Sequence, residues 1–237
     1  MHRPKSMEQA IEDQVRRWQF AHAAVPDAQR LPVIAISRQH GALGGDVARA
    51  VARNLGLGFY DREILSRIAD EAHLSERVVS PLDERDACSW LSDWIAPLIA
   101  EGHLSRFGYL QHLVRVIDDL ARKGGAVILG RGAHLVLRQG AALRVKVVAP
   151  LAARVAAVAA RAGLDPAAAR RRVAEVEMER QAFLARCFHS LQEDESSFDL
   201  QVNTGVLGVE GAVAVVCAAA AVQAGKQVRA SRSAALA

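Results

Sequence analysis

The stretch Ile36-Ser-Arg-Gln-His-Gly-Ala-Leu-Gly-Gly-Asp-Val47 decides the fold of this 237-residue chain. An apolar run, Leu31 to Ile36, leads into it. An amphipathic helix leads out, from about Gly45, with Val47, Ala50, Val51 and Leu55 on one face. A strand, a glycine-bearing turn and a helix N-terminus together cradle phosphate: backbone N–H groups point at the anion and the helix dipole favours negative charge. The general pattern is G-x-x-x-x-G-K-[ST]. In this register Arg38 stands at the first glycine and Gly44 at the lysine. Asp46, one position later than in the plain pattern, stands at the hydroxyl residue. The backbone pattern is kept and the side-chain chemistry is changed.

Each loop residue has two readings. Arg38 can replace the lysine by holding phosphate oxygens bidentately, or it can pair with an acid such as Asp46 or Asp61. Gly41, Gly44 and Gly45 either let the backbone approach an anion or make an ordinary turn with positive φ. His40 either touches a phosphate or is solvated. Asp46 either ligates magnesium or stabilises the helix N-terminus, worth about 0.3–1 kcal/mol.

Composition narrows the class. Hydrophobic residues make up 51% of the chain, enough for a large core, and aromatics only 5%. Abundant alanine favours closely packed helices. Of the net charge of +4, three units come from Lys226, Arg229 and Arg232 in a tail without acids. The high isoelectric point therefore says little about nucleic acid, and no nucleic-acid partner is expected. Cys88, Cys187 and Cys217 have neither disulfide nor zinc spacing. The start, Met1 to Arg17, is too charged for a signal peptide. The apolar run Gly211–Ala224 is too short to span a bilayer. A cytoplasmic protein without membrane contact is expected.

Strand patterns at 32–37, 57–60, 126–130, 144–149 and 198–202 alternate with helical ones, indicating an α/β fold with a parallel sheet of about five strands. Such sheets bind ligands at the carboxyl ends of their strands. The polar clusters 37–46, 61–63 and 130–131 all fall there. Residues 7–23 form an amphipathic helix in an N-terminal extension, 1–30, whose Trp18 and Phe20 could serve a homodimer or another partner. Trp90 and Trp94 read as packing. Asp165-Pro166 starts a long charged helix. Residues 225–237 read as a solvated, disordered basic tail.

The chain resembles the cytidylate kinase-like family of P-loop proteins, relatives of the nucleoside monophosphate kinases, over roughly residues 32–222. The carrying residues are the opening loop, Phe59-Tyr-Asp-Arg-Glu-Ile-Leu65 and Gly130-Arg-Gly132. Further support comes from Ala149-Pro150 with Arg154, Glu177 with Arg180, and Asp199-Leu200 with Asn203-Thr204. The resemblance implies a P-loop NTPase-type domain over 31–224, with a helical acceptor-side insertion at 73–123 and a lid at 165–197. It implies phosphoryl transfer from ATP, with Mg²⁺ bridging phosphates, to a small phosphorylated acceptor, a nucleoside monophosphate such as CMP. The nucleotide would lie on Ser37, Arg38, His40, Gly41, Ala42, Leu43, Gly44, Gly45 and Asp46, with Asp46 as the metal ligand. Asp61, Arg62 and Arg131 would hold the acceptor. Arg38, Arg131 and Arg180 would supply the cations that phosphoryl transfer needs. Members commonly lack the lysine. Leu43, where a glycine is usual, is a further departure, and with the missing lysine it motivates a second reading: a nucleotide-binding regulatory protein with this fold and little catalysis.

Overall fold

The computed structural model describes residues 31–61, 65, 104–137, 139–188 and 195–234. The expected N-terminal helix, Arg62, Trp90, Trp94 and the insertion up to residue 103 lie outside the described residues.

Five parallel strands form the centre: β1 Val33–Arg38, β2 Gly58–Tyr60, β3 Ala126–Leu129, β4 Leu143–Val148 and β5 Leu200–Asn203, in the order β2-β3-β1-β4-β5. In β1, Ala35 pairs with Ile128 and with Arg144, and Ile36 with Leu129 and Val145. Its alternate residues feed opposite faces. Ile34 and Ile36 pack with Val47 and Val51 of α1 (Gly44–Leu55). Val33 and Ala35 pack with Leu113, Ile117 and Leu120 of α2 (Leu104–Lys123). A strand buried on both faces must be apolar throughout, which is why β1 reads as a continuous apolar run.

Local signals end the helices as the sequence suggests. Gly56 closes α1 at φ 64°, a conformation cheap only for glycine. After the short α3 (Ala133–Val136) and α4 (Leu151–Ala162), Gly163 does the same at φ 63°. Asp165 then accepts the N–H groups of Ala167 and Ala168 at 2.9 Å each, capping α5 (Pro166–Phe188). Val158 of α4 and Ala169 and Val173 of α5 form a small core of their own, separate from the two cores flanking the sheet. The end of α5 is different: Leu184 and Phe188 belong to the main core beside α2.

Three expectations need correction. The fifth strand begins at Leu200, not Phe198, because the two preceding residues are used as a clamp. Phe198 stacks on buried His134 with ring centres 4.8 Å apart, and Asp199 grips Arg144. The last helix, α6, runs Thr204–Ala234 with a break at Gly208, so residues 225–234 of the supposed disordered tail are helical. Alanine, glutamine, lysine and arginine are good helix formers, and a helix already nucleated by packing propagates through them. Finally, the apolar stretch is longer than Gly211–Ala224: Thr204–Gly225 is long and apolar enough to cross a bilayer by length and composition. Its residues Ala212, Val213, Val216 and Ala220 nevertheless pack into the core beside α1, β4 and β5.

The clamp ties β4 to the residues that lead into β5. Arg144 donates to Asp199 from its backbone N–H at 2.9 Å and from Nη2 at 2.8 Å, with side chains only 10% and 21% exposed. Burial pushes the Asp199 carboxyl up, but the hydrogen bonds from the Arg144 side chain and backbone outweigh it and hold the group below its ordinary value. A carboxyl lowered in the folded state contributes stability above its unfolded value and loses it as pH falls through the folded one. Asp199→Asn should therefore cost about 2–3 kcal/mol at pH 7 by stranding the guanidinium. Urea unfolding should show this difference shrinking as the pH drops below about 4.

Candidate active site

The loops after β1, β3 and β4 leave the sheet at one edge, the carboxyl edge where β1 is flanked by β3 and β4. The β1 loop is pinned by its own backbone. Gln39 N–H donates to the Val147 carbonyl at 3.0 Å, and Ala42 N–H to the Gln39 carbonyl at 3.2 Å. The Gln39 side chain accepts the Ala149 N–H at 3.2 Å, joining the loop to the end of β4. Buried Thr204, at the start of α6, donates to the Ala42 carbonyl at 2.9 Å. Leu43 is the N-cap of α1 at φ 57° and ψ 20°, a left-handed conformation that costs a residue with a Cβ roughly 1–2 kcal/mol. Leucine thus takes up the backbone geometry that glycine usually supplies. The cost is carried by the anchors on either side.

The glycines have specific neighbours. At Gly41, with φ 84°, a Cβ would lie 2.5 Å from the Arg154 carbonyl oxygen, so the start of α4 fills that space. At Gly44 a Cβ would lie 2.5 Å from the Arg38 Cβ, and at Gly130 it would lie 2.3 Å from Arg38 Nη1. Arg38 therefore passes between two glycines, one after β1 and one after β3. At Gly45 a Cβ would meet nothing closer than 3.5 Å, so glycine is not sterically required there. Two of the three loop glycines, Gly41 and Gly44, also clear room for the protein itself.

Arg38, Arg131 and Arg180, expected from sequence to act together, line one cavity of about 420 Å³ with His40, Gly41, Leu43, Gly44 and Gly45. Arg131 is held at φ 52° just past β3, and its guanidinium lies over the Phe183 ring at 5.0 Å, a cation–π contact. Arg180 reaches back from α5, with Nη1 3.4 Å from Ser37 Oγ and Nε 3.3 Å from Glu177 Oε2. The other Glu177 oxygen accepts the backbone N–H of His40. Burial holds the His40 imidazole below its ordinary value, with Arg172, Arg38 and Arg154 acting in the same direction and Glu177 opposing.

Other expected residues lie apart from the cavity lining. Ser37 and Ala42 are buried beneath it as anchors. Asp61 offers its carbonyl to the Leu65 N–H at 3.0 Å, as the start of a helix would. Asp46 was expected to bind magnesium. Its Oδ1 instead accepts from Arg49 at 3.1 Å and its Oδ2 from Arg161 at 2.7 Å. Burial raises the Asp46 carboxyl, but the hydrogen bonds from Arg161 and Arg49 prevail and lower it. Among the described residues no three His, Cys, Asp or Glu side chains gather to hold a metal. With both Asp46 oxygens on guanidinium groups, these residues do not fit a protein-held Mg²⁺.

Sequence reasoning missed Arg161, Val176, Glu179 and Phe183 in the cavity wall. All four come from α4 and α5, which reach the loop only through tertiary packing. In the sequence Arg161 is a basic residue in the last turn of a helix, and that signal by itself means only a favourable dipole contact.

Residues 33–206 match the sequence profile of the cytidylate kinase-like family. No curated protein matches the chain. An uncharacterized protein from Eubacterium ventriosum ATCC 27560 is similar in structure, with 18% identity over 78% of this chain and 95% of that one and a TM-score of 0.59. TT1252 from Thermus thermophilus matches at 21% identity over 80% and 98% of the two chains, with a TM-score of 0.45. A shikimate kinase from Bacteroides thetaiotaomicron matches at 13% over 78% and 96%, with a TM-score of 0.42. Of these only the Eubacterium protein is close enough in shape to bear on the question, and it bears on the fold alone.

The two-glycine passage makes a direct prediction. Gly130→Ala places a Cβ against the Arg38 guanidinium at a φ of 83° that alanine disfavours. The expected result is a loss of stability of about 1–2 kcal/mol, with anion affinity falling as far as in Arg38→Ala. Gly45→Ala, on the same loop, should leave both nearly unchanged. Thermal melting and pyrophosphate titration of the three variants check this.

Proposed function

The chain belongs to the cytidylate kinase-like family, and on that premise we propose that it transfers the γ-phosphoryl group of ATP to a small phosphorylated acceptor, a nucleoside monophosphate such as CMP. The observation that carries this reading is the convergence of Arg38, Arg131 and Arg180 on one cavity at the glycine-bearing loop. Phosphoryl transfer asks little covalent chemistry of a protein. It needs the reacting oxygens in line and positive charge around the transferred group.

The chain's residues have distinct tasks in this proposal. The loop and the N-terminus of α1 receive the phosphates of ATP through backbone N–H groups. Arg38, held in place by Gly44 and Gly130, faces the transferred group from the sheet side. Arg131, braced on Phe183, meets the acceptor phosphate, whose oxygen forms the new P–O bond as the bond to the departing ADP breaks. Arg180 closes from α5 and balances charge developing on the leaving oxygens. Magnesium travels with ATP in this family, and no step here depends on where it sits.

An assay of ADP release across a panel of nucleoside and non-nucleoside monophosphates tests the proposal. We expect turnover with a pyrimidine monophosphate. Arg131→Ala and Arg180→Ala should each lower kcat/KM by about a hundredfold or more, without changing the melting temperature by more than a few degrees. Tight ATP binding with no acceptor-dependent ADP release would favour the regulatory reading, which the arginine-held Asp46 supports.

A second test uses His40. An anion placed beside its lowered imidazole raises it, so binding takes up a proton. Wild-type affinity for ADP should strengthen relative to His40→Asn as pH falls from 7.5 toward 5.5, around the ordinary histidine range near 6.5. Calorimetry in buffers of different ionisation enthalpy should show the proton uptake in wild type only.

A further inference from the structure

We propose that the carboxylate of Glu177 is a built-in anion that latches the α4–α5 arm onto the phosphate loop, and that an incoming phosphate group competes with it for that place. The inference rests on the phosphotransfer reading for the identity of the incoming anion. The latch itself rests on contacts within the chain.

The first observation is the partner of Glu177. One oxygen accepts the backbone N–H of His40, within the strand-to-helix loop. Loops of this kind present such amides to anions, and here a side chain from a residue 137 positions away supplies the anion. The second is the shell of donors around it. Oε2 takes Arg180 Nε at 3.3 Å, and Arg154 Nη1 stands 3.9 Å from Oε1. That Arg154 nitrogen is buried and makes no hydrogen bond. Glu177 Oε1, drawn to the His40 amide, stops at 3.9 Å from it, beyond hydrogen-bond reach. A terminal phosphate has three acceptor oxygens and the greater charge, so it satisfies the shell that Glu177 leaves incomplete.

The third observation concerns what else holds the arm. Its outer part has its own small core, Val158, Ala169 and Val173, and Gly41 abuts Arg154. Arg180, nearer the root, reaches Ser37 Oγ at 3.4 Å, and on the outer arm Arg161 pairs with Asp46. Arg161 is 65% exposed and Glu177 only 19%. Exposed pairs contribute little, so Glu177 is the stronger of the two ties. The inner end of α5 stays rooted in the main core through Leu184 and Phe188. Loss of the Glu177 contact therefore frees the outer arm while the root holds.

Competition of this sort lowers apparent affinity by the fraction of molecules in which the loop is open. In Glu177→Gln and Glu177→Ala, hydrogen exchange without ligand should become faster at residues 39–45 and along the outer arm. Pyrophosphate and ADP should bind about tenfold more tightly than to wild type. Retained melting transitions would show that both variants fold. Unchanged exchange would overturn the latch, whatever the ligands do. Faster exchange with equal or weaker pyrophosphate binding would overturn the competition. Faster exchange with no binding of either ligand by any version would support the latch and overturn the phosphotransfer reading instead.

Discussion

The carboxyl edge of the sheet is organised around one steric constraint: the Arg38 side chain lies in the space that Gly44 and Gly130 leave by having no side chain of their own. A Cβ at either position would stand 2.5 Å or less from an Arg38 atom. The consequence runs through the sheet. Ile36 and Leu129 are paired in register, so β1 and β3 end side by side, and the Arg38 side chain leaving β1 reaches Gly130 just past β3. A long cation can then leave the end of a buried strand and lie along the edge of its neighbour. In a loop without the usual lysine, that placement supplies a fixed positive charge that is pre-positioned at little entropic cost.

Charge balance follows from the same arrangement. Four arginines, Arg38, Arg131, Arg154 and Arg180, are gathered within a small region around the loop, and such a cluster is unstable without anions. The fold supplies them from its own acids. Glu177 takes Arg180 and stands near Arg154 within the cluster, and beside it Asp46 pairs with Arg49 and Arg161. Backbone strain is concentrated here too. The two residues with a Cβ that adopt positive φ among those described, Leu43 and Arg131, both line the cavity. Strain of this kind persists only where surrounding contacts over-determine the conformation. Thr204, Gln39 and Phe183 supply those contacts.

Much of this architecture was legible in the sequence. The apolar run before Arg38, the helical period after Gly45 and the glycine stops at Gly56 and Gly163 are local signals, and they correspond to β1, α1 and the ends of α1 and α4. The meeting of Arg38 and Arg131 was also foreseeable, since residues after parallel strands share one edge of a sheet, whereas Arg180 comes from α5 and only the family resemblance pointed to it. Asp46 shows where the sequence leaves the choice open. Its position at the head of a helix fits magnesium, a helix dipole or an arginine equally well, and nothing within a few residues chooses among them. The strand start at Phe198 failed for a related reason: Phe198 and Asp199 have strand-like neighbours, yet His134 and Arg144 recruit them for a clamp.

The sequence by itself determined the elements and their polarity, because periodicity, capping and glycine placement act over a few residues. Only the tertiary structure decided who occupies the loop. Glu177 meets His40 across 137 positions, and Arg161 meets Asp46 across 115. Neither contact has a local signature, because each depends on where the packing of α4 against α5 sets a side chain above the sheet. The glycines make the same point. The sequence marked Gly41, Gly44 and Gly130 as places where a side chain is missing, and the fold filled those spaces with Arg154 and Arg38, because a space cleared in a close-packed protein is taken by whatever atoms the packing brings there.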